Sequence, residues 1–216
     1  MQRLDNSEFI GRIKEIIDEA GVVVLADTWL SGGFTSGENC ILVPEDVQGL
    51  NYRAGGTHFE KMLAGAGASI VSMPSSESYT ALQTGVIDGL NTSDASFLSY
   101  RVYEQVDCFT PAGDNALWFM YEPILMSKRT FEQLTPEQQE VLMAAGEKAG
   151  EYAYEAAQEL EQTTISTFEE NGVEVARMTQ EQWQQWVDLA EETAYADFIS
   201  EVSGGEELIE LARQVD

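Results

Sequence analysis

The sequence predicts an α/β fold, and two observations support that prediction. Short runs rich in β-branched residues alternate with longer stretches in which apolar residues recur at helical spacing. One strand–helix–strand succession, over residues 50–71, has the length of a βαβ unit, and such a unit requires parallel strands. The 216 residues can bury a sizeable core as one large domain or two small ones.

Charge and hydropathy exclude two classes of partner. Thirty-eight acidic residues against eleven basic ones give a net charge of −27, which repels nucleic acids and anionic membranes. No apolar run approaches the length of a membrane span, and residues 1–21 show no basic-then-apolar signal segment. The sequence therefore predicts no nucleic-acid partner and no stable membrane insertion.

The excess of acidic residues also predicts a response to salt. We place most of these carboxylates on solvated helix faces, and because lysine is scarce we hypothesise adaptation to a salty environment. Since dissolved ions screen the repulsion between like charges, the melting temperature should be higher in molar sodium chloride than in dilute buffer. Thermal denaturation followed by circular dichroism checks this. An unchanged or lower melting temperature in molar salt contradicts the hypothesis.

The first elements along the chain are a helix and a strand. Asn6 or Ser7 can cap the helix, and Gly21 can end it. Residues 22–25 form a β-branched run that predicts a buried strand, which leads into the glycine-rich segment 31–37.

The stretch after the βαβ unit contains a short helix with its start and stop signals. Pro74 followed by serines favours a helix start, and Gly85 favours an end in the left-handed conformation. The pair Asp88-Gly89 predicts a turn, after which residues 91–93 form a polar loop. Such a loop can donate hydrogen bonds to an anion without carrying charge.

The second half of the chain is dominated by one long predicted helix. Residues 95–106 predict a shorter helix, and Pro123 restricts the apolar run 118–126 to a strand edge or a bulge. Thr135 can then cap a helix that extends to Asn171. At 1.5 Å per residue this helix spans about 50 Å, which is longer than one lobe, so we expect it to cross between two.

Catalysis has little support in the sequence. The single histidine, His58, lies on a predicted helix where a surface or capping role is expected. The chain has no nucleophile elbow, no His-Glu-x-x-His and no phosphate-binding loop, so we predict no catalytic residue, no cofactor and no metal site. Cys40 and Cys108 have neither metal-ligand nor redox spacing, which leaves a disulfide or two buried thiols open.

Two motifs resemble the solute-binding proteins of TRAP transporters, the DctP family. One is Glu-x-Tyr-x-Ala-Leu-Gln-x-Gly-Val-Ile-Asp-Gly over residues 77–89, and the other is Leu-Asn-Tyr-Arg over residues 50–53, followed by Gly55-Gly56. The resemblance covers nearly the whole chain. It implies a two-lobed periplasmic-binding-protein-like fold of the α/β class with a long lobe-crossing helix.

The same resemblance implies that the first lobe is incomplete. Family members begin with a signal peptide, a first strand and helix, and much of the first lobe, none of which we recognise in this sequence. We therefore expect residues 1–20 to be the remnant of the first lobe or crossing helix and residues 21–120 to be the ligand-binding α/β lobe. Residues 121–216 would hold the lobe-crossing strand, the long helix and the C-terminal helices.

The ligand site is predicted around Arg53. This residue ends a predicted parallel strand, where open α/β sheets bind their ligands, and its guanidinium can grip a carboxylate through two hydrogen bonds. From the residues alone a surface ion pair is an alternative, whereas the resemblance implies that Arg53 clamps the substrate carboxylate. By the same resemblance, the other predicted substrate-binding residues are Ser75, Asn91, Thr92, Trp29, Trp118 and Glu122.

The function that the resemblance implies is that of the extracytoplasmic solute-binding subunit of a TRAP transporter. Its partners would be a small organic carboxylate, which it captures, and the TRAP membrane subunits, to which it delivers the carboxylate. Such a protein is periplasmic and is not an enzyme. Two alternatives stay open: an enzyme that acts on a small carboxylic acid, and an inactive fragment.

Overall fold

A computed structural model describes residues 2–5 and 7–215 of the chain. Its helices in chain order are α1 (Gln2–Asp5), α2 (Glu8–Glu19), α3 (Thr57–Gly65), α4 (Ser78–Gln83), α5 (Asp94–Ser99), α6 (Lys128–Phe131), α7 (Pro136–Glu170), α8 (Gln180–Ala190), α9 (Ala196–Glu201) and α10 (Gly205–Arg213). Its strands are β1 (Val22–Ala26), β2 (Trp29–Ser36), β3 (Asn51–Arg53), β4 (Ser69–Ile70), β5 (Gly89–Ser93), β6 (Cys108–Thr110), β7 (Phe119–Tyr121), β8 (Ile124–Ser127) and β9 (Glu174–Val175).

Contacts divide the chain into two compact units, each built from separated stretches. Unit 1 comprises Met1–Leu30, Met120–Gln158 and Val202–Asp216, and unit 2 comprises Ser31–Phe119 and Glu159–Glu201. The domains predicted from the sequence are continuous stretches, and their bounds stay a prediction. No helix among the described residues is both long enough and apolar enough to cross a membrane.

Unit 1 joins helices to a two-stranded antiparallel sheet of β1 and β8. Ser7 caps α2 as predicted, because its Oγ accepts a hydrogen bond from the amide of Ile10 at 3.3 Å. The alternative cap, Asn6, lies outside the described residues. The prediction of a buried strand is only partly right: β1 is half-buried except at Ala26, because it belongs to this small sheet.

The long helix α7 contributes residues to both units. It has 35 residues, about 50 Å at 1.5 Å per residue, which confirms the predicted length. Its start is also as predicted: the Thr135 amide donates to Oε1 of Gln138 at 2.9 Å, and the Gln138 amide donates to Oγ1 of Thr135 at 3.3 Å. These two bonds satisfy amides that a helix leaves unpaired at its first turn.

Unit 2 is built on a mixed sheet whose strand order is β4-β3-β5-β2-β6-β9. β3 runs parallel to β4 and to β5, which confirms the predicted βαβ unit. β2 runs antiparallel to β5 and β6, and the glycine-rich segment forms most of this central strand. A Cβ atom on Gly32 would lie 2.0 Å from the carbonyl oxygen of Thr92, so glycine is required where the two strands meet.

Side-chain alternation along these strands separates two hydrophobic cores. Phe34 and Tyr52 point to one face, where Trp186 of α8 covers them. Leu90 and Phe109 point to the other face and pack in a cluster that includes Phe168 of α7. Because successive side chains of a strand point to opposite faces of the sheet, the polar residues of these strands also alternate between the same two faces.

Two predictions about residues 89–106 are wrong. The predicted polar loop over residues 91–93 is instead the end of β5, a central strand whose five residues are all buried. The predicted helix over residues 95–106 ends at Ser99, because Arg101 has a positive φ of 53° and a separate 3₁₀ turn follows. Short polar side chains on β5 hid its character, since strands are usually rich in β-branched and aromatic residues.

A disulfide joins Cys40 to Cys108 and settles the open alternatives for these residues. Their Cα atoms are 5.1 Å apart and 68 positions apart in sequence, so the bond ties the loop after β2 to β6. Reduction should lower the free energy of unfolding by about 2–4 kcal/mol, mainly because a long loop regains entropy in the unfolded state. Urea denaturation with and without dithiothreitol measures the change. Coincident denaturation midpoints would show that the bond does not stabilise the fold.

Candidate functional site

The carboxyl ends of β3 and β5 meet the start of β2 at one edge of the sheet in unit 2. Arg53, the last residue of β3, extends its side chain along this edge. Its Nε donates to the carbonyl oxygen of Met73 at 3.1 Å, and its Nη1 donates to the carbonyl oxygen of Asn91 at 3.1 Å. Two backbone acceptors on different elements therefore hold the guanidinium plane in place.

Arg53 is not neutralised by the protein's own acids. Among the described residues no carboxylate lies within ion-pair distance of its guanidinium, and Nη2 makes no hydrogen bond. Burial lowers the pKa of Arg53 from its usual value, and the nearby Glu60 carboxylate opposes the effect. The surface ion pair considered from the sequence is therefore not formed, and a charged fork remains available to an anion.

Asn91 adds a second unpaired donor at this edge. Its Oδ1 accepts a hydrogen bond from the amide of Gly55 at 2.8 Å, which fixes the orientation of the side-chain amide. Its Nδ2 has no partner among the described residues, although the residue is only 1% exposed. A buried amide that makes no hydrogen bond is costly, so this atom is a candidate contact for a ligand.

Asp94, directly after β5, is a functional candidate that the sequence analysis missed. It is 2% exposed; its Oδ2 accepts a hydrogen bond from the Ser31 hydroxyl at 2.9 Å, and its Oδ1 has no partner among the described residues. Burial raises the pKa of Asp94 to about 7, and the nearby Glu161 carboxylate adds to the effect. The sequence contained one signal for this candidate: Asp94 comes immediately after three small polar residues of the segment predicted to bind an anion.

The raised pKa of Asp94 predicts a pH dependence of stability. The folded protein keeps a proton that the unfolded chain releases above about pH 4, so stability should fall as the pH rises from about 4 to about 7. The loss attributable to Asp94 is on the order of 3–4 kcal/mol. Urea denaturation at several pH values should show Asp94→Asn gaining on the wild type by this amount across the window. A difference that does not vary with pH would contradict the buried-acid interpretation.

Five of the predicted substrate-binding residues belong to unit 2. Arg53, Asn91 and Thr92 lie at the sheet edge, and Ser75 starts the 3₁₀ turn two residues after Met73, whose carbonyl holds Arg53. The Trp118 ring packs edge-on against Phe59 at 5.7 Å, and a Cβ atom on Gly32 would touch it at 2.6 Å. Trp118 is thus close to the first half of β2.

Two predicted substrate-binding residues, Trp29 and Glu122, belong to unit 1. The Trp29 ring lies 4.7 Å from that of Tyr121, and its Nε1 donates to Asp5 at 2.6 Å. The backbone amide of Glu122 donates a hydrogen bond to the carbonyl oxygen of Thr28, and the carbonyl oxygen of Glu122 accepts one from the Thr28 hydroxyl. Their participation in ligand binding stays a prediction.

An open cavity of about 1210 Å³ lies in unit 1, between β1 and the first half of α7. We do not assign the carboxylate site to it, because an anion there would face repulsion from a predominantly acidic lining. Its acidic residues are Asp5, Asp27, Glu140, Glu147, Glu151 and Glu155, against the single cation Lys14.

The described residues contain no group of three or more histidine, cysteine, aspartate and glutamate side chains placed to hold a metal ion. His58 is 41% exposed in its side chain, and its Nδ1 lies 3.5 Å from Asp197, which agrees with the surface role expected from the sequence. Neither observation provides a catalytic constellation around Arg53.

Comparisons with known proteins find relatives that match most of this chain. A solute-binding protein of Albidiferax ferrireducens is 34% identical over 202 residues, which are 94% of this chain and 60% of that relative. The 2,3-diketo-L-gulonate-binding periplasmic protein of Escherichia coli is 28% identical over 211 residues, 94% of this chain and 61% of that protein. The chain thus spans about 60% of the length of these relatives.

Solved structures match the fold closely. A TRAP periplasmic solute-binding protein from Rhodoferax ferrireducens, with bound malonate, superposes with a TM-score of 0.90 at 32% identity, covering 97% of this chain and 66% of that one. One from a Sulfitobacter species, with bound β-D-galacturonate, gives a TM-score of 0.84 at 25% identity, covering 94% of this chain and 66% of that one. The predicted α/β fold with its long helix is confirmed, and the sheet is mixed.

The family model of bacterial extracellular solute-binding proteins, family 7, matches residues 1–201, which is most of the chain. Together with the relative that is 34% identical, this match confirms the resemblance seen in the two motifs. The chain belongs to the DctP family of bacterial extracellular solute-binding proteins.

Proposed function

We propose that the chain is the ligand-capturing part of a TRAP transporter's solute-binding subunit and that it binds a small organic carboxylate at Arg53. The observation that carries the proposal is the state of the guanidinium. Two backbone carbonyls orient it, and Nη2 makes no bond to the described residues. The bonds to these carbonyls use two of the five guanidinium N–H groups, and the remaining ones, including both on Nη2, can hold a carboxylate at the carboxyl edge of the parallel strands.

Neutral polar groups complete the proposed site. Nδ2 of Asn91 is an unpaired donor. Thr92 carries a hydroxyl group two residues after Leu90, the strand partner of Arg53, and Ser75 carries one two residues after Met73, whose carbonyl holds Arg53. Trp118 would cover the apolar part of a ligand. The roles of Trp29 and Glu122 stay predictions from the resemblance. Because neutral donors add no charge, a single carboxylate on the ligand is enough to balance Arg53.

Relatives support the class of ligand. The Rhodoferax protein was solved with malonate and the Sulfitobacter protein with β-D-galacturonate, and both ligands are carboxylates. We carry over only that shared group to this chain. By the same relationship, the chain would act in the periplasm and would deliver its ligand to the TRAP membrane subunits. The family consists of solute-binding proteins, so we propose a receptor and not an enzyme.

A thermal-shift screen tests the proposal. Malonate, galacturonate and glucuronate are each compared with their uncharged amides, because only the acids can pair with Arg53. Since this chain spans about 60% of its relatives' length, the screen uses both this chain and a chimera in which the Albidiferax relative supplies the portion that it does not match. An upward shift with an acid but not with its amide supports the proposal. If no carboxylate shifts either protein, the proposal fails.

A further inference from the structure

An acidic corner lies at the same sheet edge as Arg53, and we call it the Asp94 corner. It consists of Asp94 at the start of α5, Ser31 on β2 and Glu161 on α7. Ser31 Oγ donates to Oδ2 of Asp94 at 2.9 Å, and Glu161 Oε1 accepts a hydrogen bond from the Gly113 amide at 3.0 Å. Oδ1 of Asp94 makes no bond to the described residues although Asp94 is 2% exposed.

The Asp94 corner is short of positive charge. Neither Asp94 nor Glu161 forms an ion pair with any described lysine, arginine or histidine. Arg177 lies beside Gly113, whose amide donates to Glu161, but it forms no ion pair with either carboxylate. A buried carboxylate beside a second one is expensive unless a cation joins them, so the corner is complementary to a positive group.

Strand geometry places the Asp94 corner and Arg53 on the same face. Arg53 pairs with Leu90 across the parallel strands, and residues 90, 92 and 94 alternate onto one side. Nη1 of Arg53 reaches the carbonyl of Asn91, and Asp94 follows three residues later, about 10 Å along a strand. A small molecule that forms a hydrogen bond at each end can span a separation of this size.

Resting on the proposed function, we propose that the Asp94 corner binds an ammonium group of the ligand. The ligand is then a small zwitterionic acid. Its carboxylate pairs with Arg53, its ammonium donates to Oδ1 of Asp94 and faces Glu161, and Thr92 lies between the two charged ends. The arrangement selects an amino acid over a hydroxy acid of the same length, because a hydroxyl cannot neutralise two carboxylates.

Ligand binding should be coupled to proton release. Burial raises the pKa of Asp94 to about 7, so near neutral pH the empty site holds a proton for part of the time. An ammonium group favours the ionised carboxylate, and affinity should therefore rise from pH 6 to pH 8. The groups that face Asp94 are the Ser31 hydroxyl from β2 and the Glu161 carboxylate from α7.

Matched ligand pairs test the proposal. Affinities are measured by calorimetry for β-alanine, γ-aminobutyrate and δ-aminovalerate, each compared with the hydroxy acid of the same chain length. We expect at least one amino acid to bind about tenfold or more tightly than its hydroxy partner at pH 8. Equal affinities for every pair would overturn the ammonium assignment. If malonate still bound in a manner that depends on Arg53, the proposed function would stand. If no acid binds, the ammonium assignment and the proposed function both fail.

Variants separate a specific role from a general effect of charge. Asp94→Asn should remove the preference for the amino acid and its pH dependence, and Glu161→Gln should reduce the preference. Asp107→Asn is the charge-matched control, because Asp107 is an exposed aspartate of the same unit, and it should change nothing. A preference that is undiminished in Asp94→Asn, or in Glu161→Gln if the first variant fails to fold, overturns the proposal.

Discussion

Replacing Arg53 by alanine should abolish carboxylate binding, with affinity lowered about 100-fold or more. Loss of one partner from a desolvated charge pair costs about 2–5 kcal/mol, and each 1.4 kcal/mol is about tenfold in affinity. The effect is large here because the Arg53 side chain is partly buried and its Nη2 makes no bond to the described residues. Calorimetric titration with malonate, on the protein that binds it in the thermal-shift screen, measures the change.

Two further variants define the role of Arg53. Arg53→Lys keeps the charge but loses the planar fork, so its affinity should fall between those of the wild type and the alanine variant. Arg101→Ala is the control, since Arg101 belongs to the same unit but is 65% exposed and pairs with Glu104. Its affinity should match the wild type. Unchanged affinity in a folded Arg53→Ala protein would refute the clamp.

Gly89→Ala should destabilise unit 2 by about 3 kcal/mol or more. A Cβ atom at this position would lie 2.2 Å from the carbonyl oxygen of Thr35 and 2.5 Å from the Tyr52 ring. Neither neighbour can move easily, because one is the backbone of the central strand and the other is fully buried. Overpacking of this kind costs about 1–3 kcal/mol, and more when the backbone must shift. Urea denaturation of the variant gives the free energy of unfolding.

The matched control for Gly89→Ala is Gly11→Ala. Gly11 lies in α2, and a Cβ atom there would meet nothing within 4 Å. The change should stabilise the helix by about 1 kcal/mol, since alanine has the higher helix propensity. If both alanine variants had the same stability as the wild type, the close approach of β5 to β2 would not be as tight as the structure indicates.

Elements with strong local signals were predictable from the sequence. Thr135 and Gln138 specify the start of α7 through their own hydrogen bonds, and the βαβ unit follows from a β-branched strand, a helix and a second strand. These features depend on residues close in sequence. The position of Arg53 at the carboxyl edge followed from the same unit, because that edge is where parallel strands end.

Features that depend on distant residues were not predictable. β5 looks like a polar loop because Asn91, Thr92 and Ser93 are poor strand formers, and it is a strand because β2 and β3 pair with it on either side. Asp94 follows three small polar residues, but its burial depends on distant contacts such as the hydrogen bond from Ser31, which lies 63 positions away. The assignment of Trp29 to unit 1 likewise results from its contacts with Tyr121 and Asp5.

The most direct test is a crystal structure of the protein with malonate bound. The oxygens of one carboxylate should lie about 2.7–2.9 Å from nitrogens of the Arg53 guanidinium, Nη2 among them. The bonds from Arg53 to the carbonyls of Met73 and Asn91 should persist. Malonate bound away from Arg53, with Nη2 paired to a carboxylate of the protein itself, would contradict the clamp role of Arg53.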